Sequence, residues 1–73
     1  MATITNLVHT NDVIQTRTHT SADYCSNNTY FQIRTYAQND INRENGAKQN
    51  IQISREAAQE LITLLEQFID NAN

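Results

Sequence analysis

The C-terminal segment ISREAAQELITLLEQFIDNAN constrains the fold most, because its apolar residues recur along two adjacent helical stripes. One stripe runs through Ala57, Leu61, Leu64 and Phe68, and the other through Ala58, Ile62, Leu65 and Ile69, with Glu60, Thr63, Glu66, Gln67 and Asp70 opposite. Ser54 is suited to accept from the free amides of the first turn and Glu56 to meet the positive end of the helix dipole, so a helix is expected from Arg55. So wide an apolar face exceeds what one small sheet covers. A chain of 73 residues, 38% of them hydrophobic, with mean hydropathy -0.64, is short of other large apolar side chains. At this length a core seldom supplies more than roughly 3–5 kcal/mol. The stripe Ala58, Ile62, Leu65, Ile69 is therefore expected to meet a second copy. The alternative is that both stripes lie under the monomer's own sheet.

Upstream, residues 29–53 read as two strands joined by a hairpin, since aromatic and β-branched residues alternate and Asn45-Gly46 is a strong turn signal. Parity tests the register. A two-residue Asn-Gly loop would set Ile51 and Ile53 on the face away from Ile33. A three-residue loop, Glu44-Asn45-Gly46, pairs Arg43 with Ala47 and gathers Phe31, Ile33, Thr35, Ala37, Ile41, Ile51 and Ile53 on one face. This loop, or another of odd length, is expected. The opposite face then carries Tyr30, Gln32, Arg34, Tyr36, Gln38, Lys48, Asn50 and Gln52. Residues 2–8 and 13–20 read as two earlier strands and residues 21–28 as a polar loop, giving the order β, β, β, β, α in one α+β domain over 1–73.

Several chemistries are disfavoured. Spacings of ten between His9 and His19, and of six from His19 to Cys25, match no zinc or haem pattern, so no metal or cofactor is expected. Cys25 reads as an ordinary loop thiol, the carboxylates are scattered, and the lone Gly46 cannot build a phosphate-cradling loop. No enzyme is expected. Apolar runs no longer than two residues leave no membrane span or signal-peptide core, which points to the cytoplasm. A net charge of -3 argues against coating duplex DNA by bulk electrostatics, but a local basic face stays possible.

Such a face is offered by Tyr30, Arg34, Tyr36 and Lys48, on which single-stranded bases would stack and phosphates pair. Tyrosines chosen for strand propensity on a solvent-facing strand are the plainer alternative. The stretch from Phe31 to Ile69 resembles the single-stranded-DNA-binding domain of the transcriptional coactivator positive cofactor four and its bacterial relatives. The matching features are IRTY at Ile33 to Tyr36, an extended polar turn, IQIS at Ile51 to Ser54, and the helix AAQELITLLEQFI. The resemblance implies a curved four-stranded antiparallel sheet followed by one C-terminal helix, and a homodimer paired through the helices. It also implies that Arg34 and Tyr36 face nucleic acid. VIQTRT at Val13 to Thr18 is similar, more loosely, to an earlier family strand bearing an arginine, which would bring Arg17 into the same groove. The chain departs from the family where a Lys-Gly pair usually precedes the last strand, having Gln49-Asn50, and where Ala37 replaces an aromatic.

The expectation is thus a non-enzymatic homodimer that binds single-stranded DNA or RNA through Arg17, Tyr30, Arg34, Tyr36 and Lys48, as a transcription or DNA-maintenance accessory factor. The alternative is a dimeric protein-interaction module of the same fold with a protein partner and no nucleic acid. Acidic balance and the missing Lys-Gly pair favour the latter.

Overall fold

A computed structural model describes residues 2–71. Four strands, β1 (Thr3–Ile4), β2 (Ala22–Ser26), β3 (Phe31–Thr35) and β4 (Gln49–Ile53), precede one helix, α1 (Arg55–Asp70). They form one sheet in the order β1-β4-β3-β2. The α+β class and the C-terminal helix agree with the sequence reading. The sheet is mixed rather than wholly antiparallel: β2 with β3 and β3 with β4 pair antiparallel, while β1 lies parallel to β4 with Thr3 opposite Gln52 and Ile4 opposite Ile53. The chain enters beside β4 and must leave it again to reach β2 at the far edge. β1 and β2 point the same way, and the connection over residues 5–21 is long enough for such a crossover.

The early strands are corrected as well. Residues 13–20 form no strand, and the segment read as a polar loop, 21–28, contains β2. Its placement follows from the turn. Asn27 Oδ1 accepts from the backbone N–H groups of Thr29 and Tyr30, each at 2.8 Å, and Asn27 N–H donates to the Tyr30 carbonyl at 3.0 Å. This closes a hairpin that sets Ser26 opposite Phe31, Tyr24 opposite Ile33 and Asp23 opposite Arg34. Tyr24 then stacks on Phe31, ring centroids 5.7 Å apart. The segment 5–20 has β-branched residues but packs against little. Val13 is 90% exposed, and the chain ties the segment down by the His19 carbonyl accepting from Asn39 N–H and by the Thr20 hydroxyl donating to the Ala37 carbonyl.

Between β3 and β4 the expected parity holds in a different register. Phe31 faces Ile53 and Ile33 faces Ile51, so large apolar residues pair directly across the strands. The three-residue loop gives way to a long odd-length connection over residues 36–48. Asn39, Arg43 and Gly46 take positive φ in it, and the buried Asp40 carboxylate accepts from the backbone N–H groups of Glu44 and Asn45 at 2.9 and 3.2 Å. Ala37 and Ile41 therefore lie outside the sheet.

Helix α1 begins where expected. Ser54 Oγ accepts from Ala57 N–H at 3.2 Å, and Ser54 N–H donates to the Ile4 carbonyl at 3.0 Å, joining the helix start to β1. Arg55 donates twice to the Asn28 carbonyl, at 3.2 and 2.7 Å. Burial along the helix is confined to its first two turns: Ala57 is fully buried, Ala58 and Leu61 are half-buried, and every residue from Ile62 to Asn71 is exposed. Among the described residues no helix is long and apolar enough to cross a membrane.

The buried hydrophobic residues are Tyr36, Ile53 and Ala57, and no large side chain among the described residues is fully enclosed. The accessible surface is 6400 Å², where a folded monomer of this mass exposes about 4,600 Å². The radius of gyration, 13.9 Å, exceeds the roughly 11 Å of a compact domain of this length.

Candidate nucleic-acid interface

Strand alternation divides the sheet into two chemically distinct faces. Ile4, Tyr24, Phe31, Ile33, Ile51 and Ile53 share one face by register; Thr3, Asp23, Cys25, Gln32, Arg34, Asn50 and Gln52 share the other. On the polar face Thr3 Oγ1 donates to Gln52 Oε1 at 3.0 Å, and Gln52 Nε2 donates to Gln32 Oε1 at 3.3 Å. A hydrogen-bonded row of one hydroxyl and two amides thus crosses from β1 to β3. At the other end of β3 the face is charged.

That charged end is organised around Asp23. Arg34, directly across the strand pair, donates through Nε to Asp23 Oδ1 at 2.7 Å and through Nη2 to Oδ2 at 2.6 Å. The Tyr36 hydroxyl donates to the same Oδ2 at 2.8 Å, and Arg43 Nη1 reaches it at 3.4 Å from the 36–48 connection. The Arg34 and Arg43 side chains remain about half exposed, whereas that of Asp23 is mostly covered. The hydrogen bonds from Arg34 and Tyr36 hold the Asp23 carboxyl at about 2, below its ordinary 3.8. The same carboxylate raises the Arg34 guanidinium and, through the hydrogen bond it accepts, the Tyr36 phenol.

The sequence-derived residues are distributed unevenly around this centre. Arg34 and Tyr36 lie in it, although Tyr36 is only 9% exposed and its ring is not free for a base as the chain stands. Lys48 is exposed one residue before β4, its N–H donating to the Thr35 carbonyl at 2.7 Å, so it flanks the charged end. Tyr30 sits in the β2–β3 turn at the opposite end of β3, about 13 Å from Arg34 along the strand. There it borders a cleft of about 290 Å³ with Phe31, Ser54, Arg55 and Ala58. Arg17 is exposed within segment 5–20, outside every strand. Of the helix residues assigned to a dimer interface, Ala58 is half-buried while Ile62, Leu65 and Ile69 are exposed.

Sequence reasoning missed Asp23 and Arg43. Asp23 was legible in principle, because placing a two-residue turn at Asn28-Thr29 sets Asp23 opposite Arg34 by counting. Arg43 depends on the path of a long connection that no short-range signal specifies. No family model matches the chain, and no curated protein or solved structure matches it either.

Proposed function

We propose that the protein is a non-enzymatic homodimer, paired through α1, that binds single-stranded nucleic acid on the polar face of its sheet as a cytoplasmic accessory factor in transcription or DNA maintenance. The observation that carries this reading is the convergence of Arg34, Arg43 and the Tyr36 hydroxyl at one end of that face, flanked by exposed Lys48. Two guanidinium groups against one carboxylate leave a net positive centre on a chain that is acidic overall. Cations in such a place pair with phosphates, and the polar row of Thr3, Gln52 and Gln32 continues the track with hydrogen-bonding groups. The positive cofactor four-like pattern of the sequence supports the same assignment for Arg34 and Tyr36. Pairing through α1 is supported by the exposed Ile62, Leu64, Leu65, Phe68 and Ile69.

The test is fluorescence anisotropy of a labelled oligo-thymidine strand titrated with the protein at low and at physiological salt. Micromolar or tighter binding that weakens as salt rises is expected. No binding at low salt would sink the reading. It would leave a dimeric protein-interaction module, which the carboxylate already seated in the Arg34 fork and the net charge of -3 favour.

A further inference from the structure

We infer that Asp23 occupies a phosphodiester subsite formed by Arg34, Arg43 and the Tyr36 hydroxyl, so that the binding face is closed by its own carboxylate and opens when a nucleic-acid phosphate displaces it. This rests on the function proposed above and adds its gate. Three donors from two separate elements meet at one oxygen, Asp23 Oδ2: Arg34 at 2.6 Å, Tyr36 at 2.8 Å and Arg43 at 3.4 Å. Arg34 presents Nε and Nη2 together, the planar edge with which a guanidinium takes either a carboxylate or a phosphate. As the chain stands, that edge is taken. Asp23 is the one acidic residue among the described strand residues of the polar face; its neighbours there, Cys25, Gln32 and Asn50, are uncharged. Of the strand residues on that face, Asp23 alone would repel an entering phosphate, and it sits where the phosphate would itself bind.

The route by which Arg43 arrives supports a site rather than an incidental contact. Its backbone is in the left-handed region, φ 59°, an unusual conformation for a residue with a long side chain. The loop holds it there through Arg43 N–H donating to the Asp40 carbonyl at 3.2 Å, while the Asp40 carboxylate takes the next two amides. Both arginines keep about half their side-chain surface in solvent, so an incoming anion reaches them, and an exposed ion pair of this kind yields readily to a competitor.

The experiment compares wild type with Asp23→Asn, using labelled oligo-thymidine at low salt, with Asp12→Asn as a control for the same change in net charge at an exposed position outside the sheet. Asp23→Asn is expected to bind about tenfold more tightly, with a salt dependence steeper by about 0.7 in log–log slope for each additional phosphate neutralised, while Asp12→Asn stays near wild type. Arg43→Gln in the Asp23→Asn background should return the affinity toward wild type. Equal or weaker binding by Asp23→Asn, with wild type still binding, overturns the gate and leaves the face intact as a binding surface. Binding by Asp23→Asn alone, like binding by neither protein, overturns both, because no phosphate then displaces the wild-type carboxylate. Circular dichroism checks folding, and Asp23→Ser replaces the asparagine variant if that one unfolds. Wild type gives a further reading free of any substitution. The Arg34 Nε–H resonance should move as oligo-thymidine is added; an unmoved resonance at saturation overturns displacement.

Discussion

The polar face of the sheet and the far half of α1 meet their needs in opposite ways. On the sheet, Arg34, Arg43, Tyr36, Gln32, Gln52 and Thr3 all find partners within the chain, and no buried side-chain polar atom among the described residues lacks one. On the helix, Ile62, Leu64, Leu65, Phe68 and Ile69 stay exposed, Phe68 at 70%. The contrast follows from reach and number. Polar groups are satisfied by one well-placed neighbour, which strand pairing supplies, whereas apolar burial needs a surface on all sides, which so short a chain cannot make. The molecule is therefore closed where it is charged and open where it is apolar.

The largest effect should come from breaking that opening. If a second copy covers the helix, wild type should sediment at twice 8.4 kDa, and Leu65→Glu should sediment as a monomer of 8.4 kDa with a markedly lower melting temperature. Each of Ile62, Leu65 and Ile69 contributes roughly 1.5–3 kcal/mol when fully buried, and a carboxylate in their midst opposes all three. A wild-type protein that sediments at 8.4 kDa would break the comparison, because the apolar face would then be stable in water.

A smaller effect should come from the junction where the two regions meet. Ser54 caps α1 through Ala57 N–H and links it to β1 through the Ile4 carbonyl. Ser54→Ala removes the cap but not the backbone link, so a loss of about 1 kcal/mol in urea unfolding is expected. Dimer mass should be unchanged. If the variant instead loses dimer as well as stability, the helix start and its apolar stripes are one coupled feature and not two.

These regions also differ in how far the sequence exposed them. The helix and its stripes were legible to the residue at Arg55, because a period of 3.6 over sixteen residues has few competing explanations. The parity of β3 and β4 was legible because alternation of Phe31, Ile33, Ile51 and Ile53 decides a face, but parity cannot decide a register. The register comes from direct pairing of those four residues and from a loop stabilised by the buried Asp40 and three left-handed residues. Strand β2 was not legible from apolar content, since ADYCS offers only Tyr24 to its apolar stacking partner. Residues 13–20 misled for the opposite reason: valine, isoleucine and threonine favour strands, yet β-propensity acts only where a neighbouring strand and a packing surface exist. With β2 went Asp23, and with the loop went Arg43.

The smallest expected effect probes the closed region by acid. Asp23 releases its proton at about 2 in the folded chain and at about 3.8 when free of its partners, so folding lowers its affinity for the proton. A carboxyl shifted in this direction adds stability above about 3.8, and that contribution is lost as pH falls from there toward 2. Tyr36 has the opposite sign: its phenol is raised above 10.0, so its contribution is present below that pH and declines as pH rises past it. Urea midpoints measured between pH 5 and pH 2 should therefore fall more for wild type than for Asp23→Asn, and added salt should narrow the difference because the ion pair is partly exposed. Identical acid profiles for the two proteins would show that the pairing of Asp23 with Arg34 and Tyr36 is not maintained in solution. The polar face would then be as open as the helix, and its arginines would need no gate.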